Sequence, residues 1–115
     1  MAHNEEMTNR VREALMHLPN VEEKRMFRGV AFMVNGKLCL GTGNDELLCR
    51  IDPAVFEGAI ELPGIRPMTK GTQTMKGYVY VHEDILRNKK EFDYWIGQAL
   101  QFNSKARASQ KRKKA

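Results

Sequence analysis

Two thiols and one histidine in a strand-like segment are the side chains of this 115-residue chain with the most chemical scope. A nucleophilic role for Cys39 or Cys49 would need a partly exposed thiolate beside a base, and His82 is the only histidine that falls in a strand pattern. The same three residues would make a trio of metal ligands, yet neither a CxxC nor an HxxxH spacing accompanies them. Strand alternation puts both cysteines on a face with Val30, Phe32 and Ile51, where a thiol behaves as a small hydrophobe. The residues therefore favour buried, reduced thiols over a cross-strand disulfide, a metal site or catalysis. His3 and His17 belong to the first helical segment and are expected in solvent.

The carboxylate pairs Glu5-Glu6, Glu22-Glu23 and Glu83-Asp84 sit at element ends, where charges meet water or cap helices rather than share a proton. Gly64, Gly71 and Gly77 are too dispersed for a phosphate loop, while Gly29 and Gly77 suit a bulge or a close approach of backbones. No catalytic residue, cofactor or metal is expected. The pattern points to a binding or regulatory module rather than an enzyme.

The net charge of +5 is unevenly spread. Lys105, Arg107, Lys111, Arg112, Lys113 and Lys114 supply six cations with no acid among them, so the rest of the chain holds 13 basic against 14 acidic residues. Such a run on a loose segment would grip phosphate backbones without sequence preference, or would only aid solubility; it has no aromatic residue to stack on a base. We expect one folded domain over residues 1–104 and a disordered basic tail over 105–115. Two cysteines are too few for a disulfide framework, the polar start lacks a secretory signal, and no apolar stretch approaches the roughly 20 residues of a membrane helix. A cytoplasmic location is the expectation.

The elements that must carry these residues follow from periodicity. Met7, Val11, Ala14, Leu15 and Leu18 form one helical stripe with Asn4 as a candidate cap and Pro19-Asn20 as the stop. From Val21 to Asp52 the period changes to two, giving three or four antiparallel strands. Asn35-Gly36 predicts a type I′ turn, which pairs Val34 with Lys37 and Phe32 with Cys39. A second turn near Thr42 to Asp45 brings Leu47 to Ile51 alongside. Asp52-Pro53 starts a helix through Val55, Phe56, Ala59 and Ile60. Tyr78 to His82 is a strong strand, with Ile65 to Met68 a weaker one beside it and a loop between. Asn88 with Glu91 opens the last helix, whose stripe is Phe92, Trp95, Ile96, Ala99 and Leu100.

Alternation sorts the strand residues onto two faces. Val30, Phe32, Val34, Cys39, Leu47, Cys49 and Ile51 share one; Ala31, Met33, Leu38, Leu40 and Leu48 share the other with Arg50. If the helices lie on the first face, the second is an apolar patch suited to a protein partner or a second copy, unless a helix or the segment from Ile65 to Lys76 covers it.

Four stretches carry a family resemblance: residues 26–39 (MFRGVAFMVNGKLC), residues 47–51 (LLCRI), Arg66-Pro67-Met68 and Met75-Lys76-Gly77-Tyr78. Over about residues 7 to 103 the chain resembles the N-terminal domain of the TfoX/Sxy competence regulators in a short, stand-alone form. The resemblance implies a two-layer α+β fold in the order α-β(3)-α-β(2)-α, similar to secretion chaperones. It also implies a link to transcription of competence genes, where full-length members are thought to act with the cyclic-AMP receptor protein. It carries no catalytic residues over.

Overall fold

The computed structural model describes residues 5–26 and 29–105. Helix α1 spans Glu5–Leu15 and presents Met7, Val11 and Leu15 to the core, as the apolar spacing requires. Strands β1 (Val21–Met26), β2 (Gly29–Val34), β3 (Lys37–Thr42) and β4 (Glu46–Arg50) follow, then α2 (Pro53–Ala59), β5 (Ile65–Lys70), β6 (Gln73–His82), the single turn α3 (Glu83–Leu86) and α4 (Lys89–Asn103). All pairings are antiparallel, in the spatial order β1-β2-β3-β4-β6-β5. The layout is the expected α+β one, with four strands before α2 and a short extra helix before the last.

Local chemistry explains most boundaries. Asn35 and Gly36 both take positive φ, 55° and 77°, so the β2–β3 turn is the one that Asn-Gly favours. Asp52 caps α2 by accepting from the Ala54 amide at 2.9 Å, with Pro53 at the first helical position. Asn88 caps α4 by accepting from the amides of Lys90 and Glu91. The segment from Thr69 to Met75, expected as a loop, is instead part of a long β5–β6 hairpin that turns at Gly71, where φ is +63°. Thr69 to Thr74 are exposed and none of them is a large apolar residue, so they show no apolar period.

One pairing departs from the simple hairpin. The β2–β3 register shifts between Phe32 and Met33, so Phe32 faces Leu40, Met33 faces Leu38, and Cys39 is the extra residue of a bulge. Phe32 does not pair with Cys39 as alternation predicted. Leu40 turns to the helix side and is 0% exposed.

The core lies between the sheet and one layer of helices. It joins Phe32, Leu40, Leu47, Cys49, Val79 and Val81 to Val11, Leu15, Phe56, Trp95 and Ala99. Polar ties fix the layers. Thr8 of α1 shares a buried hydroxyl bond of 2.7 Å with Thr42, and the Arg12 guanidinium bonds Glu23 of β1 at 2.6 and 2.8 Å, holding that carboxyl below the usual carboxylate range. Buried Asn103 donates to the Val34 carbonyl, while Lys37 donates to the Asn103 carbonyl, so the end of α4 is pinned to the β2–β3 turn. Among the described residues no helix is long and apolar enough to cross a membrane.

Candidate functional site

Because the described helices share one side, the other face of the sheet carries side chains that no described helix covers. Across the strands one row reads Lys24, Ala31, Gly41, Leu48, Tyr80 and Arg66 in register. A neighbouring row holds Glu22, Met33 and Leu38, and Arg50 pairs with Tyr78 farther along the sheet. Met33, Leu38, Leu48, Tyr78 and Tyr80 are half-buried, as expected for side chains standing on an open sheet and touching only their neighbours.

The candidate interface residues divide. Met33, Leu38 and Leu48 stand on the open face, and Ala31, on the same face, is only 4% exposed. Leu40 belongs to the core. The Ile65 to Lys76 segment does not lie over the patch; it supplies β5 and the start of β6 within the sheet. Tyr78, Tyr80 and Arg66 were not assigned to this face from sequence. The signal was present in Tyr78-Val79-Tyr80-Val81, whose valines pair into the core and whose tyrosines must then point away.

Two arginines on the face are held in different ways. The Arg66 guanidinium makes a two-pronged pair with Glu46, both contacts 2.7 Å, and lies 4.5 Å from the Tyr80 ring centroid. Arg50 lies 5.4 Å from the centroid of Tyr78 and 5.8 Å from that of Phe102. Leu48 lies beside Gly41 in the middle of the face, where a methyl on Gly41 would make an ordinary contact with the Leu48 Cβ at 3.5 Å. The result is a shallow apolar floor framed by tyrosine and arginine, the residue types that anchor protein interfaces.

The thiols are placed otherwise. Cys39 and Cys49 are free and buried, 1% and 0% exposed. Burial pushes the Cys39 thiol up to about 12, against an opposing pull from Arg50. Burial, then the neighbouring Cys39, pushes Cys49 up as well. A thiol with a pKa near 12 is thiolate to about one part in ten thousand at pH 8. Native protein is therefore expected to leave both cysteines unmodified by a disulfide reagent at pH 8, and denatured protein to release two reactive thiols.

The same shift has a sign in stability. An acid whose folded pKa is raised binds more protons when folded, so stability falls as pH climbs from about 9 towards 12. Cys39→Ala is expected to flatten that alkaline slope in urea titrations. An unchanged slope would contradict the assignment.

Among the described residues, no three His, Cys, Asp or Glu side chains come together to hold a metal ion. His82 instead caps α3, its Nδ1 accepting from the Asp84 amide at 3.1 Å. The carboxylates of Glu5, Glu6, Glu22, Glu23 and Asp84 are exposed, and Glu83 is half-buried. Of the basic run, only Lys105 lies within the described residues, its Nζ 3.7 Å from Asp52; Arg107, Lys111, Arg112, Lys113 and Lys114 lie outside them.

A family model, the TfoX N-terminal domain, matches residues 13–103. Neither the curated proteins nor the solved structures compared with the chain gave a match. The matched span runs from α1 to the last residue of α4 and so takes in the whole sheet and its open face, and the chain belongs to the TfoX N-terminal domain family.

Proposed function

We propose that the chain is a non-enzymatic regulatory module that acts by association through the open face of its sheet, with a second copy of the chain as the occupant. The observation that carries this reading is the half-exposed set Met33, Leu38, Leu48, Tyr78 and Tyr80 on the side away from the helices. The sheet edges offer a poorer surface. Edge strand β1 exposes Glu22, Glu23, Lys24 and Arg25, and edge strand β5 carries Pro67 and Lys70, devices that discourage strand-to-strand pairing.

A second copy fits because the face carries opposite charges side by side, Glu22 with Lys24 and Glu46 with Arg66, so a two-fold partner meets little like-charge repulsion. Six strands about 4.8 Å apart and about 20 Å long offer roughly 500 Å² per copy. Two such faces bury about 1,000 Å², the size of a weak and reversible contact. Family membership supports a regulatory role, and the tie to competence-gene transcription is the specific form we infer for it. A cytoplasmic setting accords with the reduced thiols.

The test is light scattering over a range of concentrations. The parent chain is expected to shift from monomer to dimer, and Leu48→Glu to remain monomeric with an unchanged circular dichroism spectrum. A parent that stays monomeric at the highest concentration overturns the reading.

A further inference from the structure

Two features of the open face are not explained by a single copy of the chain. Gly41 lies in the body of β3, and its backbone is outside the positive-φ region that calls for glycine. A Cβ there would meet only ordinary contacts, the nearest at 3.5 Å, so the fold has room for a side chain. Glycine inside a strand weakens it and marks places where another chain comes close. The second feature is Glu22 and Lys24, two residues apart on the same side of β1. Both are exposed, and among the described residues neither forms an ion pair, whereas Glu23 is held by Arg12 and Glu46 by Arg66.

Both features fall on two adjacent rows of the face, about 7 Å apart along the strands. One row carries Glu22, Met33, Leu38 and Tyr78; the other carries Lys24, Ala31, Gly41 and Tyr80. The bulge at Cys39 is what brings Leu38 and Gly41, three residues apart, onto one face. A two-fold axis that crosses the strands between the rows exchanges one row for the other. Each strand then lies over the same strand of the second copy, with the strand directions aligned as packed sheets prefer. Glu22 faces Lys24 of the second copy, Met33 and Leu38 face its Ala31 and Gly41, and Tyr78 faces its Tyr80. Acid meets base, and long side chains meet short ones. An axis running along the strands at mid-sheet would instead set Lys24 on β1 against Arg66 on β5, cation on cation.

We propose that the second copy docks in this one register, with reciprocal Glu22–Lys24 pairs as its specificity determinant and the short Ala31 and Gly41 as the places that receive Met33 and Leu38. The inference rests on self-association through the open face and adds its orientation. The axis relates the two ion pairs, so one substitution in the chain changes both contacts. They lie at the β1 edge of the interface, where charges exclude wrong registers more than they add affinity.

The test is the dimer dissociation constant of the full chain at low salt, measured by sedimentation. Glu22→Lys and Lys24→Glu are each expected to weaken the dimer about tenfold, because two attractive contacts become repulsive. An equal mixture of the two variants is expected to associate as a heterodimer. The double variant Glu22→Lys/Lys24→Glu is expected to regain an affinity within about threefold of the parent, since it inverts each pair and keeps the total charge. Both positions are exposed on β1, so the circular dichroism spectra are expected to match the parent. Gly41→Val is expected to weaken the dimer about tenfold while its melting temperature holds or rises, because a branched residue suits a strand. A double variant as weak as the single ones, or a Glu22→Lys chain as tight as the parent, overturns this register and leaves self-association through the face standing. A parent that never dimerises overturns both.

Discussion

Replacing Gly29 with alanine is expected to cost about 3 kcal/mol or more of folding stability. A Cβ on Gly29 would lie 1.7 Å from the Thr42 carbonyl oxygen and 2.7 Å from its carbonyl carbon, far inside contact distance. Both obstacles are backbone, so no rotamer change relieves them. Thr42 cannot move away easily, because it pairs with Val30 and Leu47 on either side and its hydroxyl bonds Thr8 of α1. The chain must part β2 from β3 or loosen the α1 contact, and either leaves buried groups unpaired. Urea denaturation followed by circular dichroism measures the loss. A change under about 1 kcal/mol would mean that β2 and β3 are not this close.

The second large effect separates two leucines that alternation places together. Leu40→Ala is expected to cost about 3 kcal/mol, within the 2–5 kcal/mol of large-to-small changes in a packed core, because Leu40 is fully buried between Phe32 and Cys49. Leu48→Ala is expected to cost about 1 kcal/mol or less, since its side chain lies over Gly41 on the open face. Paired unfolding curves decide it. Equal losses would mean that the bulge at Cys39 is absent and that Leu40 and Leu48 share one face after all.

That bulge shows where sequence reasoning stopped. The Asn35-Gly36 turn was legible because positive φ at two successive positions selects those residue types. The bulge a few residues later was not, because Leu38, Cys39 and Leu40 are all apolar and either register would bury them acceptably. Helices α1, α2 and α4 were legible from their apolar stripes, and α2 and α4 also from their caps Asp52 and Asn88, whereas the single turn α3 was not. The β5–β6 hairpin was legible only at its two ends, since Thr69 to Thr74 are solvent-exposed and polar on both faces. Strand β1 was left open between three and four strands before α2, because Glu22 to Arg25 give it no apolar alternation.

The candidate site was legible in part for the same reason. Ala31, Met33, Leu38 and Leu48 follow from period-two counting, and Leu40 fails at the bulge. Tyr78 and Tyr80 sit at alternate positions to Val79 and Val81 and could have been assigned by one more application of the same rule. The clasp of Arg50 by Phe102 could not, because it joins a strand end to the last turn of a helix more than 50 positions later, and no local pattern reports such an encounter.

The open face is the feature on which the proposed function turns, and methionine footprinting reads it directly. Met33 stands on that face, while Met16 is 75% exposed at the end of the first helical segment and serves as an internal standard. Oxidation rates are measured by mass spectrometry in dilute and concentrated samples of the parent chain. The account predicts that Met33 oxidises readily when dilute and is protected severalfold when concentrated, with Met16 unchanged. Equal Met33 rates at both concentrations, or a Met33 as inert as core Met7, would contradict it.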